Sequence, residues 1–194
     1  MLLEIIVVCL FARWRGYKLS RIFSAAAVYP VLLVQAVAIA AEFSLFFRVD
    51  WFYFLLPYLE GASILSFLPA ILIYRLYPAA MAGSACVLAG TALNRFVISQ
   101  NGGKMPVFPS LSYLTGYVTP DMLDSLDALH TLGDAGAKYR FLSDVIDYGY
   151  CILSVGDLLI HFFFCLLFYA LIREVCRDAA AESGKESLGE VFRE

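Results

Sequence analysis

The chain has 194 residues, of which 61% are hydrophobic and 16% charged, with a formal net charge of −3 and a mean hydropathy of +0.77. Soluble domains are roughly 45–50% apolar and ~25% charged, so this balance excludes an ordinary soluble domain and predicts a membrane protein. Its scattered basic residues leave no nucleic-acid footprint, and its length holds one compact domain, expected over residues 1–176 with a polar tail over 177–194.

The first segment, Met1 to Ala12, is apolar, lacks a basic leader and is followed by Arg13, Arg15, Lys18 and Arg21, an order that does not fit a cleaved signal peptide. As a helix it reaches only about 18 Å at 1.5 Å per residue. Spanning would need Trp14 and Tyr17 at the interface and snorkelling arginines. Crossing about 30 Å of hydrocarbon takes ~20 helical residues, a length met by Ile22 to Phe47, Phe52 to Tyr74, Ala79 to Ile98 and Val155 to Ile172. The expected fold is therefore an all-α membrane helix bundle of four to five transmembrane helices with an extracytoplasmic helical loop.

Basic residues set the orientation. Arg13, Arg15, Lys18, Arg21, Arg75, Arg173 and Arg177 mark the cytoplasmic side, which places the C-terminus there and the 99–153 connection outside. Within that connection, "TPDMLDSLDALHTLG" reads as a helix, with Thr119 as N-cap, Pro120 at the first position, Gly133 as stop, and Met122, Leu126 and Leu129 on one face.

Polar groups inside the spans carry the functional reading. Ionisable side chains are costly in lipid and normally pair or line a wet cavity. Counted from the outer span ends at 1.5 Å per residue, Glu42, Glu60, Arg95 and His161 all lie about 8–13 Å deep. This common level predicts a polar pocket open to the outside, with Arg95 in salt-bridge reach of Glu42, Glu60 or Asp157. Ala82, Cys86, Gly90 and Asn94 recur at i+4 and form a small-residue face for close helix packing. Beyond it "NGGKMP" stops the helix, Gly102 and Gly103 permitting dihedrals closed to other residues and Pro106 ending any continuation.

In "SVGDLLIHFFF" Ser154 and Asp157 fit a capping box, and the first helical turn favours an anion through the helix dipole. His161 follows Asp157 at i+4, so Ser154, Asp157, His161 and Cys165 share a stripe. Two residues at that spacing do not define a metal site, and none of the five cysteines has metal-type spacing.

"NGGKMPV" (Asn101, Gly102, Gly103, Met105, Pro106), an outer loop with His130, "LSD" (Leu142, Ser143, Asp144) and "SVGD" (Ser154, Gly156, Asp157) together resemble a family of small bacterial membrane proteins known only as a domain of unknown function. The resemblance extends to about Arg173. It implies a bacterial inner-membrane protein and brings no activity, substrate or cofactor with it.

Three functions compete at this stage. The first is a binding or transport-type module for a small solute, ion or lipid headgroup, using Glu42, Glu60, Asn94, Arg95, Asn101, Asp157 and His161, and acting as a homo-oligomer or with a partner membrane subunit. The second is a structural or assembly protein without a ligand. The third is a metal-dependent enzyme on a lipid-linked substrate, with His130, Asp144, Asp157 and His161 as ligands or as acid and base. The sequence assigns no cofactor and, besides the lipid bilayer, no definite partner.

Overall fold

The computed structural model describes residues 2–47, 54–119 and 129–191. The structure is mostly helical, and among the described residues three helical segments are long and apolar enough to cross a membrane: Ala26–Ser44, Tyr77–Gln100 and Val155–Ala180. They overlap helices α2 (Tyr29–Phe46), α5 (Tyr77–Gln100) and α7 (Val155–Val191). Helix α1 (Leu2–Trp14) has 13 residues, or about 20 Å at 1.5 Å per residue, less than the thickness of the hydrocarbon.

The remaining expected span, Phe52 to Tyr74, does not form one helix. It is divided into α3 (Leu56–Ser66) and α4 (Leu68–Ile73), which meet at Phe67. The cause is chemical: Pro69 has no N–H to donate to Leu65, and Ser66 Oγ instead donates to the Ser63 carbonyl at 2.7 Å. At the far end Arg75 takes a left-handed φ of 53°, which lets the Leu76 N–H reach the Ile71 carbonyl at 3.1 Å.

The residues divide into two compact units. The first comprises Met1–Ile39, Leu55–Ala82 and Phe164–Glu194. Its core is aliphatic and aromatic, with Val28, Val31, Phe67, Leu167, Leu171 and Ile172 almost wholly buried, and Phe67 meets Phe164 edge-on at 5.5 Å. Gln35, also buried, donates to Ser63 Oγ at 3.2 Å. In contrast, Leu33, Leu65, Leu72 and Ile73 are exposed, as expected of faces that meet lipid rather than water.

The second unit comprises Ala40–Phe54 and Gly83–Phe163. It holds the long connection, whose described part is not the expected helix. Strand β1 (Met105–Val107) pairs in parallel with β2 (His130–Leu132), and Val107 bridges onward to Asp144. The expected helix body, residues 120–128, lies outside the described residues, but its proposed C-terminal end is strand. There the Met105 N–H donates to the Leu129 carbonyl at 2.7 Å and the Gly133 N–H to the Val107 carbonyl at 2.8 Å. Inter-strand bonds thus satisfy the backbone that a helix would have satisfied internally. A short helix α6 (Leu111–Thr115) and the antiparallel pair β3 (Ile146–Asp147) and β4 (Ile152–Leu153) complete the loop.

Candidate functional site

The polar side chains singled out at the outer ends of α5 and α7 converge within the second unit. Asn94 Nδ2 donates to Asp157 Oδ1 at 2.8 Å, and Ser154 Oγ donates to Asn94 Oδ1 at 2.8 Å. Ser154 Oγ also accepts the Asp157 N–H at 3.0 Å, while the Ser154 N–H donates to Asp157 Oδ2 at 2.8 Å. The last two bonds are the reciprocal capping box of α7, and the first two extend it across to α5. Ser154 is wholly buried. The cluster leaves the helix start satisfied where lipid offers no partner.

Two glycines make this approach possible. A Cβ built on Gly156 would fall 2.6 Å from both Asn94 Cγ and the Gly90 carbonyl oxygen. Gly90 and Asn94 of the expected small-residue face therefore lie against α7, but Ala82 is exposed and the neighbouring Gly83 is the residue that meets Phe163. Where α5 ends, Gly102 and Gly103 take φ of +68° and +83°, and the Gly103 N–H closes back on the Ile98 carbonyl at 3.0 Å. Asn101 then grips the backbone of Lys138 in both directions: Nδ2 donates to its carbonyl at 3.0 Å, and Oδ1 accepts its N–H at 2.9 Å. A hollow of about 320 Å³ lies here, bounded by Asn101, Pro106, Thr131, Asp134 and Lys138.

Asp144 is the chemically unusual group. It is only 5% exposed, and its backbone joins the sheet, its N–H donating to the Pro106 carbonyl at 3.1 Å and its carbonyl accepting from Phe108 at 2.8 Å. Its carboxylate stands 3.7 Å from His130 Nε2, and the His130 side chain is 39% exposed. Burial pushes the Asp144 carboxyl up to about 7, the charge of Asp157 adds to the rise, and His130 opposes it. At neutral pH the carboxyl is thus poised between its two protonation states.

Asp147 shows the opposite outcome of burial. Desolvation raises its carboxyl, but the Ser112 hydroxyl and the N–H groups of Ser112, Ser110 and Gly149 outweigh that and hold it below the usual carboxylate range. The bonds are short, 2.5 Å from Ser112 Oγ and 2.6–2.8 Å from the three amides. Asp147 caps α6 and fixes the 147–149 turn. Sequence reasoning missed it, although "DYG" carries the Asx-turn signal.

Arg95 is not drawn into this cluster. It is exposed, and among the described residues it forms no ion pair, which overturns the expected pairing with Glu42 or Asp157 in the same unit. The reason is azimuth: one residue beyond Asn94 is about 100° around the helix, away from the packed face, and the long side chain reaches water at the helix end. Glu42 is half-buried and its charge acts on Tyr117. Glu60 is exposed on α3 in the first unit. His161 is half-buried one turn beyond Asp157 on α7. Among the described residues no three His, Cys, Asp or Glu side chains come together in a way that could hold a metal ion.

No curated protein and no solved structure matches the chain. A family model does, over residues 20–169, a stretch holding the whole Asn94, Ser154 and Asp157 cluster together with His130 and Asp144. The chain belongs to DUF5317, a family of unknown function.

Proposed function

We propose that the protein is a multi-pass module of the bacterial inner membrane, its C-terminus cytoplasmic, that binds a small cation or polar solute at the 99–153 loop in exchange for a proton on Asp144. The observation that supports it is the buried carboxyl beside His130, raised to about 7 by burial and by Asp157. A carboxyl held near neutrality is costly as mere structure and is typical of a site where protons are exchanged. A cation entering between Asp144 and Asp157 would relieve their mutual repulsion and release that proton. The orientation rests on the basic residues at Arg13 to Arg21 and Arg173 to Arg177.

The test is thermal unfolding of the detergent-purified protein at pH 8 and constant ionic strength, with choline replaced in turn by sodium, potassium, magnesium or calcium. Ligands that bind only the folded state stabilise it. One cation should raise the midpoint in the wild type and not in Asp144→Asn, with proton release into a weakly buffered medium. Identical midpoints in all four salts, with no proton release, would leave no cation exchange to explain. For the orientation, Ala135→Cys should react with an impermeant thiol reagent on whole cells, and labelling only after lysis would reverse the topology.

A ligand-free scaffold is the second reading, favoured by the reciprocal bonding of Asn94, Ser154 and Asp157, which leaves the motif residues fully occupied with each other. The metal-dependent enzyme is the least supported, because His130 and Asp144 have no third ligand among the described residues.

A further inference from the structure

The first unit contains a second polar feature, unrelated to the Asp144 site. Helix α1 ends at Trp14, the chain turns at Gly16 with a φ of +87°, and Tyr17 lies edge-on to Tyr169 of α7 at 6.1 Å. Cys176 Sγ donates to the Lys18 carbonyl at 3.5 Å, which ties this turn to α7. A cavity of about 390 Å³ opens between them, and its charged lining is Lys18, Arg21 and Arg177.

The charges here do not cancel. Glu174 bonds Arg173 at 2.8 Å and Arg177 at 3.4 Å, so that acid is already shared, and Asp178, exposed next to Arg177, forms no ion pair among the described residues and does not line the cavity. Among the described residues Lys18 and Arg21 have no ion pair. Their location is also specific: the apolar run of α7 stops at Ile172, directly before Arg173, and Trp14 is exposed beside the turn. Exposed Trp and Tyr, followed by basic residues, mark the headgroup level of a bilayer. A cavity at that level, lined by guanidinium and ammonium groups, has the chemistry of a phosphate receptor.

We infer that this cavity binds a phosphate-bearing anion at the membrane surface, with the phosphate held by Lys18, Arg21 and Arg177. The acyl chains of a phospholipid would lie along the apolar flank of α7, which a free phosphate does not need.

Native mass spectrometry of the protein, released from micelles doped with equal phosphatidylglycerol and phosphatidylcholine, tests the inference. The wild type should retain phosphatidylglycerol preferentially. The Lys18→Gln/Arg21→Gln double variant should lose about five-fold in retention per removed charge, while Lys104→Gln, which removes a basic residue elsewhere, should keep the preference. Circular dichroism confirms that each variant is folded. Competition by inorganic phosphate would show that the ion alone suffices, and retention unaffected by phosphate would assign the site to the intact lipid. Equal retention of the two lipids, or a preference that survives in the folded double variant, would overturn the assignment.

Discussion

Replacing Gly156 by alanine should destabilise the second unit by about 3 kcal/mol or more, measured as unfolding in detergent against a denaturant series. The added methyl group would meet Asn94 Cγ and the Gly90 carbonyl oxygen at 2.6 Å, and a backbone oxygen cannot rotate away as a side-chain tip can. The only relief is for α5 and α7 to separate. Overpacking alone costs about 1–3 kcal/mol, and separation would also stretch the two 2.8 Å bonds by which Asn94 holds Asp157 and Ser154. Each is worth ~1 kcal/mol, or more to a charged group. Gly90→Ala should act alike, and the double variant should cost less than the sum, since one displacement relieves both clashes. Gly61→Ala is the contrast. Nothing lies within 4 Å of its would-be Cβ, so removing a helix-interior glycine should stabilise by roughly 0.5–1 kcal/mol. Comparable losses at Gly61 and Gly156 would refute the close-crossing argument.

What the sequence revealed about this crossing, and what it hid, follows from the range of each interaction. The capping box is legible because Ser154 and Asp157 are three residues apart and no tertiary information is needed to bring them together. The packed part of the small-residue face of α5 is legible because helical periodicity assigns Gly90 and Asn94 to one side, whereas the same count chose Ala82, which is exposed, over its buried neighbour Gly83. Depth along a span was equally readable for Arg95, but its partner depended on rotation about the helix axis, and hydropathy carries no azimuth. Pro69 was visible in "SFLPA", yet a hydropathy reading measures apolar length and does not register a missing N–H. The strand pairing of His130 and the distant donors to Asp147 were beyond local reasoning. The strand at His130 exists because β1, some 25 residues upstream by its Met105 partner, lies beside it, and the Ser112 and Ser110 amides that satisfy Asp147 are 35 and 37 residues away.

Asp144→Asn should make the protein more stable at alkaline pH and remove most of its pH dependence between about 4 and 7. The folded-state carboxyl is raised from 3.8 to about 7, mainly by burial, so the folded protein binds that proton more tightly than the unfolded chain. The stability this contributes is fully present below 3.8 and is lost as pH rises through about 7. At 1.36 kcal/mol per pKa unit the full span is of the order of 4 kcal/mol. Asparagine is neutral throughout and close to the same shape. Wild type and variant should therefore be nearly equal at about pH 3.5, already separate by pH 5, and the variant should be more stable by several kcal/mol at pH 8.5, read as unfolding midpoints in detergent. His130 lowers the Asp144 value, so His130→Gln should move the wild-type loss of stability to higher pH. The two variants separate two physical pictures of the site. If Asp144→Asn is the less stable protein at pH 8.5, the ion pair with His130 outweighs desolvation, the carboxylate is charged at neutrality, and no proton is held there for a ligand to displace.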